Sequence, residues 1–334
     1  MSGLPDSFQA FVAEKVDERV ERGVRTVGPA DFEPGEVTVR IEWSSVNYKD
    51  GLATIHNGKV ARISPLIPGI DLAGEVIESD DPGIPVGLPV LAHGYELGVS
   101  HHGGYGQYNR IPANWVVPLP AGLTGREAMA IGTAGFTAGL SIARLEARGL
   151  TPSDGPVLVT GASGGVGRTA CAILLERGYE VWASTGKAAA VEDLTALGVS
   201  GFVPREEVAA ESPRPLESER WAAAVDCVGG ASLPYLLRTL RYGGAVAASG
   251  NTGGAAFATT VFPFILRDVS LIGIDSAGVP IEQRRSLWDR LASDLRPRDL
   301  GDHLTEVDLD GLEGALDGIL AGRAHGRWIV RLAD

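Results

Sequence analysis

Cysteine is almost missing from this chain. Two occur in 334 residues, Cys171 and Cys227, both inside apolar runs. That excludes a disulfide framework, leaves too few thiolates for a cysteine-rich zinc site, and points to a reducing cytoplasm with both thiols as small buried groups. Basic charge is also scarce: 29 Lys and Arg stand against 42 Asp and Glu, a formal net charge of −13. The resulting field repels phosphate backbones and acidic membranes, so neither nucleic acid nor a membrane is expected as a partner. No apolar run reaches the ~18 residues of a membrane span. Met1 to Glu21 carries acidic residues where a signal peptide needs a basic end and an apolar stretch, so a cytoplasmic chain without a leader is expected. The histidines, at 56, 93, 101, 102, 303 and 325, show no metal-ligand spacing with Cys or acidic partners. They read as surface or structural groups, and no metal is expected.

Glycine, by contrast, is abundant. The 45 glycines are nearly twice the usual share of about 7%, which favours a ligand-binding enzyme with many tight turns. A length of 334 residues is about twice the ~150 typical of one domain, so two domains are expected. From Phe8 to Arg40 the pattern is one of short strands, with Val37, Val39 and Ile41 alternating against polar neighbours. Between Ile67 and Pro120 short apolar runs alternate with Gly, Pro and Asp clusters, the spacing of a β-rich, barrel-like domain.

After Pro120 the character changes. Arg126 to Arg148 reads as two helices joined at Gly132-Thr133-Ala134-Gly135. Strands are then expected at 156–160, 179–184, 223–228, 245–249 and 270–274, with helices at 166–176, 191–197, 233–240 and 262–267. This alternation predicts a doubly wound parallel sheet covered on both faces. An amphipathic helix over 281–295, with Leu287, Trp288, Leu291 and Leu295 on one face, and a strand over 327–332 are assigned back to the first domain.

The most informative stretch is Thr160-Gly161-Ala162-Ser163-Gly164-Gly165-Val166-Gly167, between an expected buried strand and an expected helix. Gly161 permits the turn, Gly164 and Gly165 let backbone N–H groups approach a pyrophosphate, and Gly167 allows the helix to pack closely on the strand. The next strand ends in Ala183-Ser184-Thr185-Gly186-Lys187, without the carboxylate that binds a ribose 2′-hydroxyl. Hydroxyl and ammonium groups suit a 2′-phosphate, and Arg205 can add a second positive charge, so NADPH is expected rather than NADH.

Other readings of these residues were weighed. Gly161-Ala162-Ser163-Gly164-Gly165 also fits a nucleophile elbow, with His102-Gly103-Gly104 as an oxyanion loop and Asp226 or Asp275 with His303 or His325 as partners. That reading calls for neither Gly167 nor the Thr185-Gly186-Lys187 strand end. No tyrosine has Lys four residues on, which sets aside the short-chain dehydrogenases, and Gly186-Lys187 lacks the rest of a P-loop.

Asn47-Tyr48-Lys49-Asp50, Ile67-Pro68-Gly69-Ile70-Asp71-Leu72-Ala73-Gly74, Ile131-Gly132-Thr133-Ala134-Gly135-Phe136-Thr137-Ala138 and the glycine-rich turn occur in one order. Together with Phe262-Pro263-Phe264-Ile265-Leu266-Arg267 and Gly273-Ile274-Asp275-Ser276, they resemble the medium-chain dehydrogenase/reductase superfamily. The likeness runs from about Phe8 to Val330 and is strongest to the zinc-independent, quinone-oxidoreductase-like branch of acrylyl-CoA reductases. It implies a GroES-like β-barrel substrate domain over 1–125 and 277–334, interrupted by a Rossmann NADPH-binding domain over 126–276, with a cleft between them. Zinc-using relatives place Cys where Asn47 stands and Gly-His-Glu where Gly69-Ile70-Asp71 stands, so neither ligand is present.

The resemblance also implies site residues. Cofactor contacts fall on Tyr48, on Ser163, Gly164, Gly165 and Val166, and on Thr185, Gly186, Lys187 and Arg205 around the 2′-phosphate, with Asn251, Ile265 and Ser276 on the nicotinamide side. Lys187 replaces an arginine common in the family, which loses a bidentate fork. The implied reaction is reduction of the C=C bond of a short unsaturated acyl-CoA; Tyr48 and Asn47 are the nearest candidate donors to its thioester oxygen, and Asp71 is either an orienting group for their loop or a plain structural acid. Lys49, Lys59, Arg62 and Arg327 are the cations available to coenzyme A. A quinone or enone reductase on the same scaffold, and a non-catalytic NADPH-binding protein, are the alternatives. A homodimer pairing through the 270–274 strand is expected.

Overall fold

A computed structural model describes residues 3–301, 304–324 and 326–332. The chain divides into two compact units, one of residues 1–133, 277–292 and 301–334, the other of residues 134–276 and 293–300.

In the first unit, β1 (Phe8–Val16) and β2 (Arg19–Val27) form an antiparallel hairpin. They are followed by β3 (Val37–Ser45), a short helix α1 (Tyr48–Ala53), β4 (Asp71–Ser79), β5 (Pro89–His93), β6 (Tyr108–Ile111) and β7 (Val117–Pro118). Val37, Val39 and Ile41 point inward, as their alternation predicts, and pack with Leu72, Val76 and Val90.

Helix α2 (Gly125–Ala147) is broken at Gly132, whose φ of 51° and ψ of −164° lie outside the helical region. The joint expected at Gly132-Thr133-Ala134-Gly135 is therefore real. By length and composition α2 resembles a membrane span, but 83% of its apolar window is buried inside the protein, the pattern of a core helix. The first unit extends past the expected boundary at 125 to Thr133, because the Thr133 backbone N–H and hydroxyl donate to Asp71.

The second unit continues with β8 (Val157–Thr160), α3 (Gly165–Glu176), β9 (Val181–Ser184), α4 (Ala190–Leu197), β10 (Gly201–Phe202) and α5 (Arg205–Val208). Then come β11 (Trp221–Asp226), α6 (Ser232–Thr239), β12 (Leu240–Ala248), α7 (Phe262–Arg267) and β13 (Ser270–Gly273). Among the described residues these six strands form one parallel sheet in the order β10-β9-β8-β11-β12-β13. That is the doubly wound Rossmann order, and its direction reverses between β8 and β11.

The chain then returns to the first unit with α8 (Ile281–Leu291), β14 (Leu304–Val307), α9 (Leu312–Leu320) and β15 (Arg327–Arg331). Helix α8 stops at Leu291 rather than 295, and residues 293–300 lie with the second unit, where Arg298 donates to the carbonyls of Leu175 and Leu197. Strand β15 pairs with the end of β3, Ile329 opposite Ser45, while β6 pairs with its beginning, Val37 opposite Ile111. The resulting seven-stranded GroES-like sheet, counted among the described residues, runs β14-β15-β3-β4-β5-β7 with β6 beside β3. The fold class is the one expected.

Candidate active site

In the second unit the glycine-rich turn joins β8 to α3 at the point of strand-order reversal, where parallel sheets of this order bind their ligands. Among the described residues no side chain caps α3, which leaves the N–H groups of its first turn, starting with Gly165 and Val166, open to an anion. Gly167 is required by packing: a Cβ there would lie 2.4 Å from the Gly161 carbonyl oxygen. Thr185 Oγ1 donates to Ser163 Oγ at 2.8 Å and accepts from the Lys187 backbone N–H at 3.1 Å, which draws the end of β9 onto the turn. The Arg205 side chain lies over Gly186, so close that a Cβ on Gly186 would sit 3.1 Å from Arg205 Cδ. Ser163, Thr185, Gly186, Lys187 and Arg205 thus share one neighbourhood.

Asn251 and Ser276 follow the C-terminal ends of β12 and β13, on the same sheet edge as the turn. Asn251 is exposed, and Ser276 Oγ accepts from Thr137 Oγ1 at 2.7 Å. Ile265, on α7, is 68% exposed.

The hydrolase alternative fails on the partners of its own residues. Ser163 Oγ is engaged by Thr185. Asp226 is buried and accepts from Thr160 Oγ1, Ser232 Oγ and the Gly229 N–H. The N–H groups of His102, Gly103 and Gly104 are spent on Glu33 and on the carbonyls of Ile67 and Gly69. His303 and His325 lie outside the described residues.

The first unit holds a second constellation where β3 ends, β4 begins and β15 begins. Tyr48, first residue of α1, is 47% exposed, and its phenol makes no hydrogen bond among the described residues. It is therefore not the buried aromatic that a structural role would make it. Asn47, by contrast, is 8% exposed and turned inward. Its amide nitrogen donates to Asp71 Oδ2 at 2.8 Å and lies 3.2 Å from both Ser45 Oγ and Asp50 Oδ2. Both amide hydrogens are engaged within the protein, so the side chain has none left for a substrate oxygen.

Asp71 and Asp50 are fully buried. Asp71 accepts from Ser45 Oγ, Asn47 Nδ2, Thr133 Oγ1 and the Thr133 N–H. Asp50 accepts the backbone N–H groups of Asn47 and Ile70, each at 2.8 Å. Burial, reinforced by the Asp71 charge, pushes the Asp50 carboxyl up to about 7. Burial likewise raises the Tyr105 phenol well above its usual 10; its hydroxyl donates to the Ser45 carbonyl at 3.0 Å. Arg327 donates to the Ala130 carbonyl at 3.0 Å, Ser45 Oγ at 3.0 Å and Asn47 Oδ1 at 3.4 Å. It belongs to this cluster and is withdrawn from the cations available to coenzyme A. Asp50 and Thr133 stood in quoted motifs without a site role, and Ser45 and Tyr105 were not singled out from sequence.

Two sequence profiles match the chain: the alcohol dehydrogenase GroES-like domain over residues 33–121 and the zinc-binding dehydrogenase domain over residues 165–293. Bacillus subtilis YhfP, named as a quinone oxidoreductase, is 48% identical over 97% of this chain and 99% of its own length. The Ruegeria pomeroyi acrylyl-CoA reductase AcuI is 47% identical over 97% and 98%. The chain belongs to the medium-chain dehydrogenase/reductase superfamily. Among solved members of this superfamily, YhfP with NAD bound superposes with a TM-score of 0.96 over 98% of this chain and 100% of that one. The Salmonella enterica yhdH oxidoreductase in complex with NADP, 44% identical, does so with a TM-score of 0.94 over 97% and 100%.

As a member of this oxidoreductase superfamily, the chain departs from zinc chemistry in its donor set. Asn47 offers an amide whose nitrogen is engaged, Ile70 is an apolar side chain, and Asp71 is saturated by hydrogen-bond donors. These residues do not fit a zinc ion, whatever the name of the second profile. Among the described residues no group of three His, Cys, Asp or Glu side chains is placed to hold a metal.

Proposed function

We propose that the protein is an NADPH-dependent reductase of the C=C bond of a short α,β-unsaturated acyl-CoA. The observation that carries this reading is the gathering of Ser163, Thr185, Lys187 and Arg205 beside an uncapped helix N-terminus, in a chain 47% identical to an acrylyl-CoA reductase along nearly its whole length. The turn suits a dinucleotide, because among the described residues no side chain caps the backbone N–H groups at the start of α3. In this reading residues 134–276 bind the cofactor and the first unit carries the substrate side. Ser163, Gly164, Gly165 and Val166 hold the pyrophosphate, Thr185, Gly186, Lys187 and Arg205 the 2′-phosphate, and Asn251, Ile265 and Ser276 the nicotinamide side.

When bound, NADPH supplies the hydride to the β-carbon. The chain's own residues must hold the acceptor and meet the negative charge that develops on its thioester oxygen. Tyr48 suits that task, with an exposed phenol whose hydroxyl makes no hydrogen bond among the described residues. Asn47 is reassigned from donor to support, because its amide faces Asp71. The phenol or solvent then delivers a proton to the α-carbon. Lys49, the residue after Tyr48, and the exposed Lys59 remain as cations for coenzyme A phosphates. Arg62 is engaged with Glu96 at 3.4 Å on the surface.

Steady-state NADPH oxidation with acrylyl-CoA, crotonyl-CoA and a quinone tests this reading. Higher kcat/KM with the acyl-CoA substrates is expected. Turnover with the quinone alone would replace the reading with the one that YhfP's name favours. A thermal shift on NADPH binding without any turnover would leave a cofactor-binding protein. YhfP with bound NAD gives NADH a specific claim, decided in the same assay by exchanging the cofactor. A homodimer is proposed through β13, the last strand of the parallel sheet, and light scattering that finds a monomer at micromolar concentration would remove it.

A further inference from the structure

We propose that Asp71 and Arg327 are positioning residues, which clamp the Asn47 amide from opposite ends and thereby fix the start of α1 on which Tyr48 stands. The geometry is specific. The Asn47 amide nitrogen donates to Asp71 and its oxygen accepts from Arg327. Asp71 is held in turn by Ser45 and Thr133, and Arg327 by Ser45 Oγ and the Ala130 carbonyl. The peptide that leads into Asn47 is secured as well, since Asp50 accepts the Asn47 and Ile70 backbone N–H groups.

Five elements therefore converge on one amide: the end of β3, α1, the start of β4, the break in α2 and the start of β15. The break in α2 serves this convergence. A Cβ on Gly132 would lie 2.6 Å from Arg327 Nη2, 2.7 Å from Asp71 Oδ2 and 2.9 Å from Ser45 Oγ, and the positive φ lets the Thr133 N–H reach the carboxylate. A carboxylate is the right acceptor here. Four donors point at Asp71, and the amide of Asn at this position would turn its own donors toward some of them.

The proposal rests on the reading that Tyr48 works at the reacting atoms, and the test separates the two. Asp71→Asn should lower kcat about 30-fold with whichever acceptor the wild type reduces, while NADPH affinity, measured by fluorescence titration, stays within about threefold. Arg327→Met should behave alike, and Arg327→Lys, which keeps the charge, should recover at least about fivefold. In a Tyr48→Phe background Asp71→Asn should cost less than about threefold, because both changes disable one device. An undiminished 30-fold loss in that background, or wild-type kcat in Asp71→Asn, overturns the proposal.

If Asp71→Asn does not fold, Ser45→Ala removes one donor bond to Asp71 and should give the same non-additivity on a loss of about threefold. If the wild type reduces no acceptor, the substrate reading falls and amide hydrogen exchange decides the clamp. Residues 47–53 should then exchange at least about tenfold faster in Asp71→Asn with β3 and β4 unchanged, and equal rates overturn it.

Discussion

The two constellations, one within each compact unit, are built on opposite plans. That of the second unit is prepared from backbone: a strand, a glycine-rich turn and a helix start that are consecutive in the chain, with the Thr185 hydroxyl reaching Ser163 only 22 positions away. That of the first unit is prepared from buried charge, and the bond from Arg327 to Ser45 spans 282 positions. A backbone cradle suits a ligand whose phosphates are invariant. A cluster of charged side chains suits a task in which one exposed phenol must be held still.

The largest expected effect tells the two constellations apart with one methyl group each. In Gly167→Ala the new Cβ meets the Gly161 carbonyl at 2.4 Å, so the turn must open. NADPH affinity should fall by roughly 100-fold or more, with a loss of stability of several kcal/mol. In Gly132→Ala the methyl enters the charged cluster at a positive φ. Here kcat should fall by roughly 100-fold while NADPH affinity stays within threefold. Titration of cofactor fluorescence and initial rates on the two variants check this, and equal losses of affinity in both would erase the distinction.

The same contrast explains what could be read from the sequence. The turn, the group of Ser163, Thr185, Lys187 and Arg205 and the α2 joint are local patterns, and these residues lie near one another as their spacing predicts. Tyr48 was nominated by resemblance, and its exposure follows from its place at the start of α1. Arg327 was misread as a substrate cation because only the register of β15 against β3 takes it to Ser45 and Asn47. Asp50 stood in the Asn47-Tyr48-Lys49-Asp50 motif, but nothing in that motif showed that its carboxylate is buried and accepts the Asn47 and Ile70 N–H groups. Strand β14 was missed because it has only four residues, with exposed Thr305 and Glu306 between half-buried Leu304 and Val307, and so carries no alternation. Helix α9 was legible in principle, for Leu312, Ala315, Leu316 and Ile319 have helical spacing.

A second prediction sharpens the electrostatic constellation through pH. Asp50 rises from 3.8 to about 7 on folding, so between those values the folded state holds the extra proton, and stability from this group is lost as pH rises toward 7. His93 has the opposite sign. It is buried, accepts from Trp288 Nε1 at 2.9 Å, and is held well below 6.5 by burial and then by the Arg284 charge. The unfolded chain therefore takes up that proton first, and stability is lost as pH falls below about 6.5. Asp50→Asn should gain on the wild type by a few degrees in Tm between pH 5 and pH 8, because the amide does not ionise. A constant difference across that range would remove Asp50 as the titrating group.

Smaller effects belong to the exposed edge of the backbone constellation. Arg205 is exposed and lies over Gly186, so Arg205→Ala should weaken NADPH by about tenfold and NADH by less than twofold. The difference should shrink as salt is raised, since exposed charges are screened within about 10 Å at 0.1 M. Calorimetry with both cofactors at two ionic strengths measures it. Equal losses for the two would place Arg205 away from the 2′-phosphate.

The smallest expected effect comes from Lys187→Arg. Lysine meets a phosphate as a point charge, whereas a guanidinium at the same place can engage two oxygens in a fork. The Lys187 backbone is already anchored, its N–H donating to Thr185 Oγ1, so the longer side chain starts from a fixed base next to Arg205. Two guanidinium groups would then face one dianion. The gain from the fork is opposed by their mutual repulsion while the pocket is empty. NADPH should bind about threefold tighter, with NADH unchanged. Weaker binding would mean that Lys187 is held by packing rather than by charge, and that the hydroxyls of Ser163 and Thr185 set the preference.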